Sequence, residues 1–141
     1  MYSEKVMKIF KNPKNIGKIV DADGIGEVGN PTCGDKMRAY IKIGKRKKGD
    51  IEEGYIKNVK VETIGCVAAI VTSSRMTELV RGKSLAEAER LTEKDVAQGL
   101  NLPEIKFHCS VLAAGAIKEA IKNYKEKKEK SLVGGSKNGK K

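Results

Sequence analysis

The sequence predicts one α+β domain in which helices pack on one face of a small three-stranded antiparallel sheet. Its 141 residues suit a single ordinary domain, and no second composition regime begins within them. Strand-like segments come first and helix-like segments follow, which favours α+β over alternating βαβ units. Hydrophobic residues make up 39% and aromatic residues only 4%, so we expect a core of Val, Ile, Leu and Ala.

Three strands are expected in the first half of the chain. A short strand bounded by glycine is predicted at Gly24–Gly29, and alternating or β-branched side chains predict longer strands at residues 37–43 and 55–64. The connection between these longer strands, residues 44–54, is rich in glycine and carries charges of both signs. We therefore expect an antiparallel hairpin with a long, solvated loop.

Five helices are predicted from apolar periodicity and from capping signals. They are expected around residues 6–10, at 66–82, after the capping-box sequences at 84–87 and 92–95, and at about 108–125. Residues 100–107 are expected to be extended, because Pro103 breaks helical hydrogen bonding.

The charge of the chain is concentrated at its C-terminal end. The formal net charge is +11, and residues 122–141 contribute eight Lys against two Glu, or +6. We expect a folded domain at residues 1–124 and a basic, flexible tail at 125–141. The charges of the tail are expected to keep it solvated, without a binding role. The rest of the chain lacks interleaved basic and aromatic residues, so nucleic-acid binding is not expected.

The sequence also predicts the environment of the protein. The first residues carry lysines and a glutamate with no apolar stretch typical of a secretory signal, and no run approaches a membrane span. Three cysteines cannot all pair within the chain. We expect a soluble, cytoplasmic protein with reduced thiols and no membrane contact.

The three cysteines all lie at ends of predicted elements. Cys33 lies in a loop between strands, Cys66 at a strand-to-helix junction, and Cys109 at the start of the last helix. In a compact domain such ends can meet at one rim. Spacings of 33 and 43 residues exclude CxxC motifs, so a shared site would be assembled by folding.

The surroundings of these cysteines suit thiolate chemistry. Cys66 and Cys109 each begin a helix, where unpaired N–H groups and the helix dipole are expected to lower a thiol pKa. Asp35 and His108 supply one oxygen and one imidazole donor. Three thiolates with either of these make four ligands, enough for zinc, for iron or for a [2Fe–2S] cluster, and the residues alone leave these alternatives open.

Several motifs, taken in order, resemble the IscU/NifU N-terminal family of iron–sulfur cluster assembly scaffolds over roughly residues 2–124. They are GNPTCGD, TIGCVAAIVTSS, TELVRGKSLAEA and LPEIKFHCSVLAAGAIKEAI. The resemblance implies an IscU-like (SufE/NifU-type) fold and a protein that is not itself an enzyme. It implies that an IscS/NifS-like, pyridoxal-phosphate-dependent cysteine desulfurase supplies sulfur, that Fe²⁺ joins it, and that a transient [2Fe–2S] cluster passes to apo-proteins or carriers.

The resemblance also implies roles for individual residues. Cys33, Cys66 and Cys109 match the sulfur ligands, Asp35 matches an aspartate that makes the cluster labile, and His108 is the alternative fourth ligand. Cys109 is expected to accept sulfur first as a persulfide. Zinc is expected to be able to occupy the same ligands in protein as isolated.

Two departures from the family pattern bear on partners. LPEIK resembles the chaperone-recognition sequence LPPVK but has Glu104 at the second proline, which argues against a dedicated DnaK-type chaperone partner. His108 favours the IscU-like branch, since SufU-type relatives lack that histidine.

Two other classes of function are alternatives to a cluster scaffold. The first is a zinc-binding persulfide acceptor, a SufU-type sulfurtransferase that relays sulfur and never builds a cluster. The second is a hydrolase using Cys109, His108 and Asp35, which we do not expect because adjacent side chains on a chain seldom point at each other.

Overall fold

A computed structural model describes residues 2–29 and 34–134 and confirms the predicted α+β class. Three strands form one antiparallel sheet in the order β1-β2-β3, with β1 at Gly24–Gly29, β2 at Lys36–Lys48 and β3 at Ile51–Ile64. The helices are α1 at Glu4–Lys11, α2 at Val67–Val80, α3 at Leu85–Glu89, α4 at Glu93–Ala97 and α5 at His108–Gly134.

The core lies between the sheet and the helices. Met37, Ala39 and Ile41 alternate along β2 and are fully buried, as are Val59 and Val61 on β3. Strand side chains alternate between faces, so these residues all point to the same side. They pack in one cluster with the buried residues of α5: Ala113, Ala116, Ile117, Ala120 and Ile121.

Two glycines of β1 let α5 lie directly on the sheet. A Cβ at Gly26 would stand 2.2 Å from the backbone nitrogen of Ala120, and one at Gly24 would stand 2.4 Å from its carbonyl oxygen. No side chain fits at such distances. The backbone of α5 is therefore held against β1, which fixes the helix that carries Cys109.

The prediction of a long loop at residues 44–54 is wrong. Both strands continue through it, Lys48 pairs with Ile51, and only Gly49 and Asp50 form the turn, with Gly49 at a φ of +66°. The charges of both signs are cross-strand partners, such as Arg46 opposite Glu53.

Gly44 marks no loop but makes room for a neighbouring side chain. A Cβ at Gly44 would lie 2.6 Å from the ring of Tyr55, so the absent side chain makes room for that ring. The Arg46 guanidinium lies 4.7 Å from the centroid of the same ring.

The helices after β3 largely follow their sequence signals. Both predicted capping boxes form, with Ser84 bonded to the backbone of Glu87 and Thr92 to that of Asp95. The extended segment predicted at 100–107 is only partly correct, because a single turn of 3₁₀ helix forms at Glu104–Lys106, directly after Pro103.

The last helix is longer than predicted. α5 runs to Gly134 instead of ending near residue 125, since the Lys and Glu residues there are good helix formers as well as solvating groups. The division into a domain and a tail stays a prediction, and residues 135–141 lie outside the described residues. Within the described ranges, no helix combines the length and apolarity that a membrane span requires.

Candidate metal centre

Three chain segments bring metal-ligating side chains to one edge of the domain. Asp35 directly precedes β2, Cys66 is the N-cap residue of α2, and Cys109 lies in the first turn of α5. One ligand atom from each of these side chains lies within 4.8 Å of the other two. The structure therefore assembles three of the residues singled out in the sequence, while Cys33 lies outside the described residues.

Glycines shape the backbone around this group. Gly34 has a φ of +77°, a conformation that favours glycine, immediately before Asp35. A Cβ at Gly65 would stand 2.9 Å from Oδ1 of Asp35 and 2.7 Å from Cβ of Ala69. The glycine before Cys66 thus leaves the space that the carboxylate occupies.

Hydroxyl groups of α2 approach both α5 and β3 near the site. The Thr72 hydroxyl donates to the carbonyl oxygen of Ala68, 2.8 Å away within α2, and lies 3.3 Å from the carbonyl oxygen of Cys109 on α5. Ser73 Oγ lies 2.7 Å from Thr63 Oγ1 on β3. These buried polar contacts hold the two helix starts at a fixed separation beside the end of the sheet.

His108 adds an imidazole at the edge of the group. Its Nε2 lies 3.3 Å from Oδ2 of Asp35 and 3.6 Å from Sγ of Cys109, and its Nδ1 lies 3.0 Å from the carbonyl oxygen of Ile105. A carbonyl oxygen only accepts, so in the neutral ring the proton belongs on Nδ1. In that tautomer the lone pair of Nε2 points toward Asp35 and Cys109, the side from which a ring nitrogen would bind a metal ion.

The expectation that His108 and Cys109 would not face each other is wrong, because their side chains do meet. The hydrolase alternative nevertheless fails on geometry. In a catalytic triad the carboxylate holds one ring nitrogen and the nucleophile meets the other. Here Asp35 and Cys109 both approach Nε2.

The pKa of the Cys66 thiol is lowered, as predicted. Partial burial acts against this by disfavouring the thiolate, but the backbone N–H groups of Ala69 and Ala68 and the nearby Lys106 ammonium outweigh it. Cys66 is half-buried and carries a free thiol.

The corresponding expectation for Cys109 is wrong. Its side chain is fully buried, and burial together with the negative charges of Cys66 and Asp35 raises the pKa of the thiol far above its ordinary value. The thiol also lies 3.5 Å from Oδ2 of Asp35, to which it donates. The position at a helix start is the same as that of Cys66, but the surroundings reverse the sign of the shift.

Tyr2 and Lys106 were not predicted to belong to the site. Burial and the neighbouring Cys66 raise the pKa of the Tyr2 hydroxyl, and Cys66 raises the pKa of the Lys106 ammonium in the 3₁₀ turn. Lys106 falls in the LPEIKFHCSV motif, two residues before His108, so its position could have suggested it. Nothing in the local sequence around Tyr2 indicates an interaction with Cys66.

Exposed apolar side chains flank these residues along the chain. Ile64 is 70% exposed at the end of β3, and Ile105 is 79% exposed in the 3₁₀ turn. Phe107 and Val111 are exposed on either side of the His108–Cys109 pair. These four side chains leave apolar surface exposed close in sequence to the residues of the site.

Fold and site together define a small α+β protein whose thiol, carboxylate and imidazole donors suit a metal ion or an iron–sulfur cluster. Residues 1–131 match the model of the NifU-like N-terminal domain, and the chain belongs to this family. The resemblance found in the sequence is thereby confirmed.

Named relatives are similar over most of the chain. The iron–sulfur cluster assembly scaffold protein IscU 1 of Archaeoglobus fulgidus is 49% identical over 131 residues, which cover 92% of this chain and 80% of that protein. The scaffold protein IscU of Escherichia coli K12 is 46% identical over 131 residues, covering 91% of this chain and 97% of that protein.

Solved structures share the fold. FiSufU, a protein of the SUF system from Fervidobacterium islandicum AW-1, aligns with a TM-score of 0.64 at 25% identity over 85% of this chain and 96% of its own. A NifU-like N-terminal domain from Brucella abortus aligns with a TM-score of 0.63 at 19% identity, over 89% of this chain and 94% of that domain. The second likeness bears on the fold alone.

Proposed function

We propose that this protein is a scaffold on which a [2Fe–2S] cluster is built and from which the cluster passes to apo-proteins or carriers. It binds and hands on its cargo and catalyses no reaction of its own. The ligands are Cys33, Cys66 and Cys109, with Asp35 as the fourth ligand and His108 as its alternative. The observation that carries this proposal is the Asp35, Cys66 and Cys109 group, in a chain related to proteins named as cluster scaffolds.

The spacing of the group supports a shared metal. Zinc–sulfur and zinc–oxygen bonds of roughly 2.3 and 2.1 Å place the ligands of one tetrahedral ion about 3.5–4 Å apart. Ligand atoms within 4.8 Å of one another need only a small inward movement to reach that spacing. Cys33 precedes Asp35 by only two residues in the sequence, and for this reason we propose it as the remaining thiolate ligand.

A ligand set that mixes thiolates with a carboxylate suits a cluster that must be transferred to another protein. A ferredoxin holds its cluster with four thiolates. A carboxylate at one corner binds iron less tightly than a thiolate does, because iron in these clusters prefers sulfur ligands. Asp35 therefore provides the corner that an incoming thiol of the recipient replaces.

Cys109 is the proposed first acceptor of sulfur. Its thiolate attacks the outer sulfur of a persulfide on the desulfurase; the S–S bond breaks, and the desulfurase cysteine leaves as a thiolate. The buried Cys109 thiol is hard to ionise in the metal-free protein. Coordination deprotonates a thiol, so Fe²⁺ or Zn²⁺ at this group would prepare Cys109 for the attack. Conversion of sulfane sulfur to sulfide then requires an external electron donor.

The proposed sulfur donor is a pyridoxal-phosphate-dependent cysteine desulfurase. The exposed apolar residues that flank the site, Ile64, Ile105, Phe107 and Val111, support a partner that docks over the metal centre. Glu104 puts a negative charge in the turn that carries Ile105, and for this reason we do not invoke a DnaK-type chaperone. The reducing cytoplasm is the proposed compartment, since the ligands must stay as free thiols.

Anaerobic assembly tests the function. Reduced protein is incubated with Fe²⁺, cysteine, a dithiol reductant as the electron donor and a catalytic amount of a cysteine desulfurase, and thiolate-to-iron charge-transfer absorption is followed. We expect the bands of a [2Fe–2S] cluster, and their loss in Cys66→Ala. Absence of these bands with an active desulfurase would contradict the proposal.

A second candidate is a zinc-binding persulfide acceptor that never builds a cluster. The observation that favours it is the donor set, since two thiols, a carboxylate and an imidazole suit Zn²⁺ as well as iron. Labelled sulfur separates the two functions. Zinc-loaded protein that accepts sulfur, with no charge-transfer bands after iron is added, would support the relay over the scaffold.

A further inference from the structure

A cleft separate from the metal centre lies between α2, α3 and α4. Its volume is about 320 Å³, and its lining runs from residue 75 to residue 98, which includes none of the proposed metal ligands. Cavities that bind small molecules begin at roughly 300 Å³, so this one has room for a small ligand. A bound peptide helix would need a groove several helical turns long.

The lining of this α2–α4 cleft combines apolar and basic side chains. The apolar ones are buried or half-buried, and they are Leu79, Val80, Ala88 and Leu91. The basic ones are half-buried or exposed, and they are Arg75, Lys83 and Arg90. Cations above an apolar floor suit a ligand that carries a negative group on an apolar body.

Arg75 is fixed in position by α4. Its Nε donates to the carbonyl oxygen of Val96, 2.9 Å away, and ties α2 to the last turn of that helix. This bond uses one of the five N–H donors of the guanidinium, and among the described residues no acceptor is bonded to the other four. The guanidinium is thus held at the cleft with donors to spare.

The two carboxylates that line the cleft are bonded to helix caps. Oε1 of Glu87 accepts from the backbone nitrogen and the hydroxyl of Ser84, both at 3.1 Å. Oδ2 of Asp95 accepts from the backbone nitrogen of Thr92 at 3.0 Å. In the part of the chain that the structure describes, neither carboxylate forms a salt bridge with a basic residue of the cleft. The positive charge of the lining is therefore not paired within it.

We propose that the α2–α4 cleft binds a small organic acid, in which one carboxylate is carried on an apolar chain or ring. The carboxylate pairs with the Arg75 guanidinium, whose planar fork matches it with two parallel hydrogen bonds. The apolar part lies against Leu79 and Leu91. A singly charged carboxylate suits the cleft better than a phosphate, because Glu87 and Asp95 repel a doubly charged group more strongly.

Titration of the metal-free protein, freed of chelator, tests the site. The full chain is labelled with ¹⁵N, and its backbone amide shifts are followed by NMR as each of three probes is added. Hexanoate has the carboxylate and an apolar chain, acetate lacks the chain, and hexylammonium reverses the charge.

Three variants are titrated in the same way: Arg75→Gln, Arg90→Gln and Lys60→Gln. Lys60 lies on β3 between the buried Val59 and Val61, so its side chain points to the sheet face away from the helices. Lys60→Gln therefore makes the same change in net charge far from the cleft. Circular dichroism checks that each variant is folded.

We expect hexanoate to bind saturably with a Kd of about 1 mM, a strength that suits so small a ligand. The amides of residues 75–98 should shift more than those of the metal centre. Acetate and hexylammonium should each bind about tenfold more weakly or not at all. Arg75→Gln should weaken hexanoate binding about tenfold, the loss expected for one charge-assisted pair, and Lys60→Gln should leave it unchanged.

Three results would overturn the inference. They are an absence of saturable shifts at residues 75–98, equal binding of hexanoate and hexylammonium, and equal affinity of Arg75→Gln and Lys60→Gln for hexanoate. Arg90 is exposed, so Arg90→Gln should fold even if the loss of the bond to Val96 unfolds Arg75→Gln. In that case, hexanoate affinity in Arg90→Gln equal to that of Lys60→Gln would overturn it. The test uses no metal or cluster, so its outcome is independent of the proposed function.

Discussion

Cys66 and Cys109 occupy equivalent positions at the starts of two helices, yet their thiol pKa values shift in opposite directions. At Cys66 the helix N–H groups and Lys106 dominate over partial burial. At Cys109 full burial and two neighbouring negative groups dominate over the helix start. The metal-free site thus pairs one thiol that ionises readily with one that resists ionisation.

This difference predicts how stability depends on pH. The Cys109 pKa is higher in the folded than in the unfolded state, so the folded state holds its proton more tightly. The contribution is constant below the unfolded pKa, near 8.5, and is lost as pH rises above it. We expect the unfolding free energy of wild type to fall by about 1 kcal/mol more than that of Cys109→Ala between roughly pH 7.5 and 9.5.

Urea unfolding in EDTA and a reductant checks this. Comparison with Cys109→Ala removes the pH dependence shared by all other groups, including the opposite contribution of Cys66. Parallel pH profiles for the two proteins would contradict the assignment.

Ser110 carries a second residue-level prediction. Its hydroxyl is fully buried and has no hydrogen-bonding partner among the described residues. An unsatisfied buried hydroxyl costs about 1–3 kcal/mol, so we expect Ser110→Ala to raise the unfolding free energy by about 1 kcal/mol. Ser73→Ala is the control and should lower it, because that hydroxyl bonds to Ala69 and Thr63. A loss of stability in Ser110→Ala would show that the hydroxyl has a partner.

At the scale of elements, the contact between α5 and β1 sets where Cys109 lies. The contact depends on strand glycines whose hydrogen atoms face the helix backbone. Overpacking a tight core typically costs 1–3 kcal/mol, so we expect Gly26→Ala to lower the unfolding free energy by about 3 kcal/mol.

Gly115 provides the matched control on the helix side of the same contact. A Cβ there would meet only Cγ1 of Val28, at 3.7 Å, which is ordinary contact. Alanine favours a helix over glycine by about 1 kcal/mol, so Gly115→Ala should stabilise the protein. Equal effects of the two substitutions in chemical denaturation would contradict the account of how α5 is held.

Elements that depend on local signals were predictable, and elements that depend on distant contacts were not. Both capping boxes need only residues three apart, and both form. Residues 44–54 resemble a loop in the sequence because glycines are typical of turns. Gly44 instead makes room for the ring of Tyr55 across the hairpin, a contact that the local sequence does not reveal.

At the scale of the whole molecule, the same distinction separates two aspects of the site. Asp35, Cys66 and Cys109 lie at the ends of predicted elements. Their positions indicated that they could meet, because a compact domain can place such ends at one rim, and in the structure they do meet. The raised pKa values of Cys109 and Tyr2 depend on burial and on neighbours that are distant along the chain. Neither is encoded in a local pattern.

The domain as a whole brings Asp35, Cys66 and Cys109 together at the starts of two helices and the end of a sheet, beside exposed apolar residues. In the proposed function, this arrangement lets a partner reach the cargo at the edge of the domain. We propose that the Asp35 carboxylate, at one corner of the cluster, is what makes this cargo transferable.

Transfer of a preformed cluster tests that claim most directly. Wild type and Asp35→Ala are each reconstituted anaerobically with a [2Fe–2S] cluster, and transfer to an apo-ferredoxin is followed by circular dichroism in the visible region. We expect Asp35→Ala to keep its cluster longer and to transfer it more slowly than wild type. Equal or faster transfer from Asp35→Ala would contradict it.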